Sequence, residues 1–298
     1  MDLLVINPAV VNITILPGAA RKPDGDLVSF DVAREAANDV ITALRALDLH
    51  RVGSITIDRI DTSLSDVAAS AEAHAPGDPS DAVIWEEVEA RVRAEAGWSL
   101  SFSLLLVVSA LIAAIGVLVD SPILIVGAMV VGPEYGPVSL VAYGLATRRA
   151  ARVWRGTRAL AFGLPIAVGA CALFTVALRV TDRVPAAYRA GARPLTSFIA
   201  SPDLFAVIVA VLAGVAGAVT LAEARHGALV GVLISVTTIP AAANIGVALA
   251  MGRLREASGA LGQLVLNLIL LVLAGALTFR TQARLLRRPA RRTTSINV

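Results

Sequence analysis

The chain has 298 residues, of which 56% are hydrophobic and 16% charged, with a mean hydropathy of +0.75 and a formal net charge of +3. A water-soluble domain of this length needs a charged surface, so the composition excludes an ordinary soluble protein and makes lipid part of the solvent. The single cysteine, Cys171, excludes an intramolecular disulfide and a cysteine-built metal site, and inside its apolar run it reads as a small hydrophobic filler.

The first 97 residues are mixed in character and hold most of the acidic groups. The start is no signal peptide, because it lacks a basic segment and Asn7, Pro8, Asn12 and Pro17 interrupt it. The β-branched run 10–16 predicts a strand, 27–30 a shorter one, and 52–60 a third with Ile55 and Ile57 on one face. Between them Ala33, Ala37, Val40, Ile41, Leu44 and Leu47 keep helical spacing, with Asp31 placed to cap the start. That order predicts a small α+β sandwich, serving either as an assembly unit or as a binding unit for a small regulator. Residues 62–79 are polar and end in the breaker His74-Ala75-Pro76-Gly77-Asp78-Pro79, which predicts a linker with at most one short helix. An amphipathic helix is expected over 80–96, with Trp85, Val88 and Val92 on one face and Trp98 as an interfacial anchor.

Six hydrophobic spans follow, since about 20 apolar residues are needed to cross the hydrocarbon. They cover 99–119, 122–146, 159–180, 204–222, 227–250 and 261–279. The connection 184–202, with Pro185, Pro194 and Pro202, reads as a loop with an interfacial piece at 197–200, and Asp120-Ser121-Pro122 as a tight turn. The organisation expected is a small α+β cytoplasmic domain (1–61), a linker with an amphipathic helix (62–97), a six-span domain (98–280) and a basic tail (281–298). Arg148, Arg149, Arg152, Arg155, Arg158, Arg225, Arg280 and the tail share one side in this scheme, which places both termini in the cytoplasm and the protein in the cell (inner) membrane. The tail residues Arg287, Arg288, Arg291 and Arg292 fit attraction to anionic lipid heads, and no nucleic-acid role is needed to explain the charge.

Spans two and five are Gly-rich, broken by proline, and each ends in Leu-Ala. Laying Gly127 on Gly231 also pairs Met129 with Leu233, Val130 with Ile234 and Val141 with Ile245. Three spans per half is an odd number, so the expected fold class is an α-helical bundle of two inverted three-helix repeats with broken helices two and five, the arrangement that marks a transporter's midplane site. Pro133, Pro137 and Pro240 are the expected breaks, where backbone groups freed at depth must be buried in protein or line a wet cavity. Gly132 and Gly136 permit close approach there, and Glu134 and Tyr135 lie within the first break. An ionisable residue at bilayer depth marks a pathway or ion site; the plainer alternative is a hydrated or helix-capping Glu134. Tyr135 is either a lid or an anchor. Thr237, Thr238 and Asn244 are the neutral polar candidates opposite, facing the same cavity or bonding neighbouring helices. Gln263 and Asn267, one turn apart in span six, are expected to bond across helices.

The run Leu111-Ile112-Ala113-Ala114-Ile115-Gly116, Asp120-Ser121-Pro122, Ile125 to Met129, the paired Gly-Pro steps ending at Pro137, and Pro240 to Gly246 resemble an uncharacterised bacterial and archaeal "hydrophobic domain" family, a domain of unknown function. The resemblance covers roughly residues 80–280 and implies a cytoplasmic α+β piece followed by a multi-span bundle. Members commonly show a Ser-Pro-Leu-Met-Gly-Pro type of break, so Glu134 is a departure that tunes a subgroup rather than the whole family.

No Ser-His-Asp set, HExxH motif or carboxylate pair is present, so neither catalysis nor a metal or other cofactor is expected. The leading functional reading is a transporter or permease for a small solute or ion. An oligomeric channel and a non-transporting sensor or scaffold acting through the N-terminal domain are the alternatives. The expected partners are the bilayer, the solute and further copies of the chain.

Overall fold

The computed structural model describes residues 2–60, 63–75, 82–95, 97–191, 194–196, 203–223 and 238–285. The chain divides at Val88/Glu89 into two compact units.

In the N-terminal unit a short helix α1 (Asp2–Val5) leads into an antiparallel hairpin of β1 (Val10–Arg21) and β2 (Asp24–Val32). The register runs from Val10↔Val32 to Arg21↔Asp24, and an irregularity between Leu16 and Ala20 takes up Pro17 and Gly18. Gly18 has a φ of +60° and its N–H donates to Asp26 Oδ1 at 2.8 Å. Helix α2 (Ala37–Ala46) packs Val40 against Leu4 and Val10, with Ile13, Phe30 and Leu44 closing the cluster. A 3₁₀ turn over Arg34–Ala36 precedes α2, so the helix begins later than the spacing predicts. Asp31 therefore caps nothing; it ends the strand and accepts from Asn12 Nδ2 at 2.6 Å.

The strand expected over 52–60 does not form. Val52 closes a short helix α3 (Leu49–Val52), and residues 54–60 pair with no strand. The alternation of Ile55 and Ile57 has another cause: Ile57 packs on Ala37, Ile41 and Ile84, so a helix face takes up the period of two. The unit is thus a hairpin with a helix, not a three-stranded sandwich. In the expected linker, Ser65 caps α4 (Asp66–His74) by accepting from Ala68 N. The amphipathic helix is α5 (Trp85–Glu95). Asn38 ties its start to α2, donating to Val83 O at 2.7 Å and accepting from Trp85 N at 3.3 Å.

The second unit is a bundle of apolar helices. Ser99 caps α6 (Leu100–Leu118), and Ser121 with Pro122 opens α7 (Pro122–Val131), as the N-terminal preference of both residue types requires. Helix α8 (Tyr135–Ala146) follows α7 after three residues at a bend of 61°. Then come α9 (Ala150–Val180), a short α10 (Ala186–Arg189), α11 (Leu204–Glu223), α12 (Ile239–Ala250) and α13 (Leu254–Leu285). Among the described residues four helices are long and apolar enough to span a membrane, α7 with α8 passes the same test as a bent pair, either a broken span or a re-entrant loop, and α12 is a shorter apolar helix. Residues 224–237, which hold the first half of expected span five, lie outside the described residues, as do the 197–200 piece and the basic tail.

The core joins Leu106, Val117, Ile239, Val247 and Leu271, drawn from α6, α12 and α13. Helix α12 packs on α6 and α9, and α8 on α9. Asp120 does more than turn the chain: its carboxylate accepts from Thr196 Oγ1 (2.8 Å) and Leu195 N (3.3 Å), fastening the α6–α7 corner to a later loop.

Helix boundaries recur along this unit at the interval that separates Glu134 from Thr238, 104 residues. Leu100 and Leu204 open α6 and α11, Tyr135 and Ile239 open α8 and α12, and Ala150 and Leu254 open α9 and α13. The ends of α8 and α12 match bond for bond. Arg149 N donates to Gly144 O and Arg253 N to Ala248 O, both at 2.9 Å, around left-handed residues Arg148 (φ 54°) and Gly252 (φ 71°). This Schellman-type ending also closes α6, around Asp120 (φ 54°), and α9, around Asp182 (φ 58°).

Candidate functional site

Gly132 is extended (φ −63°, ψ 126°), as a residue preceding proline prefers, and this ends α7. Pro133 lies in the break itself. Pro137 and Pro240 lie in the first turns of α8 and α12, where the missing N–H would have had no helical partner. Pro137 therefore helps open α8, the second member of the bent pair, and Pro240 helps open α12. Glu134 is the N-cap residue of α8 and Thr238 the N-cap residue of α12.

These two side chains meet. Thr238 Oγ1 donates to Glu134 Oε1 at 2.9 Å, and both residues are fully buried. Gly132 makes room for the carboxylate: a Cβ there would stand 2.6 Å from Glu134 Oε2, 3.1 Å from Oε1 and 3.1 Å from Ile239 Cγ1. Glu134 is thus fully buried and its side chain makes no capping bond to α8. The contact therefore joins the N-cap residues of α8 and α12, the ends at which a helix dipole is positive.

Tyr135 is half-buried and donates to Gly217 O on α11 at 3.2 Å, so it anchors the start of α8. Gly136 is buried in the first turn of α8. A narrow crevice lies along α8 between α11 and α13, lined by Ser139, Ala142, Gly214, Gly217, Ala218 and Gly275. Asn244 is 1% exposed and its Oδ1 has no hydrogen-bond partner among the described residues. It lies six residues beyond Thr238, about 240° around the helix, and so on another face of α12. Gln263 and Asn267 are buried on α13. Thr237 lies outside the described residues.

Two features escape a reading by residue type. Ser109 Oγ donates to Ala128 O at 2.6 Å, satisfying a carbonyl in the last turn of α7 from a neighbouring helix. The outer end of α8 is held by a cluster: the Arg152 guanidinium lies 5.1 Å from the Tyr143 ring centre, pairs with Glu89 of α5 and bonds Thr147 Oγ1 at 3.1 Å. Tyr143 in turn meets Phe279 edge to face at 5.5 Å. Arg280 donates to Leu145 O (2.8 Å) and Ala146 O (3.4 Å), and Arg179 donates to Ala250 O (3.0 Å), so each half-helix has an arginine at its C-terminus.

The apolar helices define a multi-pass helical membrane protein. Residues 129–273 match the family described as Domain of unknown function (DUF389). The resemblance to an uncharacterised membrane family is thereby shown, over a shorter stretch than the sequence motifs mark; both the 132–137 and the 240–246 motifs fall inside it. Neither the curated proteins nor the solved structures compared with the chain gave a match.

Proposed function

We propose that the protein is a membrane transporter or permease for a small solute or ion, with its site at the meeting of the two broken helices. The observation that carries this reading is the Glu134–Thr238 hydrogen bond. It joins the first residues of two half-helices, deep in a bundle, where the chain's polar groups are costly unless they serve a pathway. The recurrence at 104 residues supports two three-helix repeats, and an odd number of spans per repeat inverts the second relative to the first. Such repeats rock about a central site and expose it to one side at a time. The crevice along α8, lined by Ser139 and Ala142, is the space that rocking would widen. Both termini are cytoplasmic in this reading, the membrane is the cell (inner) membrane, the role is non-enzymatic, and the glycine-lined helices favour assembly of several copies.

The test is charge movement across proteoliposomes holding the purified protein, with protons, sodium, small anions and small metabolites as solutes, comparing wild type with Glu134→Gln. A solute-dependent current that the substitution alters supports transport through the break. Silence from folded, inserted protein with every solute removes transport and moves the function to the N-terminal unit.

A further inference from the structure

The first turns of α9 carry an asymmetry that the site does not use. Helix α9 has 31 residues, about 46 Å at 1.5 Å per residue, against roughly 30 Å of hydrocarbon. Its first turns therefore project past the apolar layer. The inward face there is filled: Arg152 is 7% exposed and paired with Glu89, and a Cβ on Gly156 would stand 2.6 Å from Pro137 O of α8.

The outward face differs. Arg155 and Arg158, with Arg148 and Arg149 just before the helix, are exposed, and among the described residues no carboxylate pairs with any of the four. Trp154 stands among them with 66% of its surface exposed. Trp154, Arg158 and Phe162 follow at four-residue spacing and form one stripe. Phe162 stacks on Trp98 at 6.0 Å, and both rings are about half exposed, which fixes the level of the interface. Arg158 then lies one turn, about 6 Å, outside that level, where a phospholipid carries its phosphate.

We propose that Arg155 and Arg158, with Trp154, bind the phosphodiester headgroup of an anionic phospholipid, whose acyl chains lie along Phe162 and Trp98. Charge complementarity selects this occupant. Four guanidiniums without carboxylate partners repel one another, and an anionic headgroup removes that repulsion while the aromatic rings cover its apolar part. The inference rests on the membrane-spanning helices and stands whether or not the protein transports.

The test uses full-length protein in a neutral detergent with Trp85→Phe, which keeps Trp98 in place, and the same protein with Trp154→Phe supplies the Trp98 background to be subtracted. Short-chain phosphatidylglycerol, short-chain phosphatidylcholine and inorganic phosphate are titrated while the emission of Trp154 is read. Phosphatidylglycerol is expected to give a saturable blue shift and the other two none. Changing Arg155 and Arg158 together to Gln weakens this binding roughly thirty-fold, from about 1 kcal/mol per arginine at an anionic surface. Changing both to Lys keeps it, which controls for misfolding. Equal shifts from both lipids, an equal shift from phosphate alone, or undiminished binding by the double Gln variant would each overturn the proposal.

Discussion

Glu134 and Thr238 take the same N-cap place in α8 and α12, 104 residues apart, and the hydroxyl of Thr238 donates to the carboxylate of Glu134 at 2.9 Å. Each opens its helix, each is fully buried, and together they tie the first break to the start of α12.

This contact has a measurable coupling. Thr238→Val removes the donor and leaves a buried acceptor without it, an expected loss of about 1–3 kcal/mol. Glu134→Leu removes the acceptor instead and leaves the Thr238 hydroxyl without it. The double variant is expected to lose less than the sum of the two, because the substitutions share one interaction. Thermal unfolding of the four proteins in one detergent measures the cycle; strict additivity contradicts the contact.

The sequence placed much of this site. Laying Gly127 on Gly231 already implies the interval that pairs Glu134 with Thr238, and both were singled out by residue type. Their bond was not legible, because spacing along one chain does not say which faces two half-helices turn to each other. Asn244 shows the same limit: its polarity is plain in the sequence, but the turn of α12 carries it away from the face of Thr238. Residues 54–60 failed for a related reason, since a helix face satisfies an alternating pattern as well as a sheet does.

Close helix approach differs between Gly246 and Gly275. A Cβ on Gly246 would stand 2.5 Å from Val168 O and 2.6 Å from Cys171 Cβ, both fixed within α9. A Cβ on Gly275 would meet Ala142 Cβ at 3.2 Å and Gly214 O at 3.5 Å. Gly246→Ala is expected to cost about 1–3 kcal/mol by overpacking, and Gly275→Ala under about 1 kcal/mol. The yield of monodisperse protein and its melting temperature rank the two, and the reverse order counts against the packing described.

The α5 helix is fastened to the bundle by Glu89–Arg152 and by Arg91, which donates to Leu221 O at 3.4 Å. Glu89→Gln leaves the largely buried Arg152 guanidinium without its carboxylate. Because Glu89 is itself 26% exposed, the expected cost is at the low end of about 3–5 kcal/mol. Arg152→Met added to Glu89→Gln recovers part of it. Amide exchange over residues 143–152 is expected to rise in the single variant and fall back in the double one. Unchanged exchange in Glu89→Gln would show that the pair holds nothing.

Cys171 is fully buried against α12, at the close approach to Gly246. Thiol reagents in water are expected to leave it unmodified in the folded protein and to modify it after denaturation. Rapid labelling of native protein would contradict its burial.

That inertness makes the most direct measurement available. Thr238→Cys is placed in the otherwise wild-type chain in sealed vesicles of known orientation, and a membrane-impermeant maleimide is applied from one side or the other. Gly252→Cys, at the exposed end of α12, serves as the reactive control. Transport through the break predicts that position 238 reacts from both sides in separate experiments and that bound solute protects it. A cysteine at 238 that reacts from neither side, while the one at 252 reacts, would show that Glu134 and Thr238 are structural glue and not a transport site.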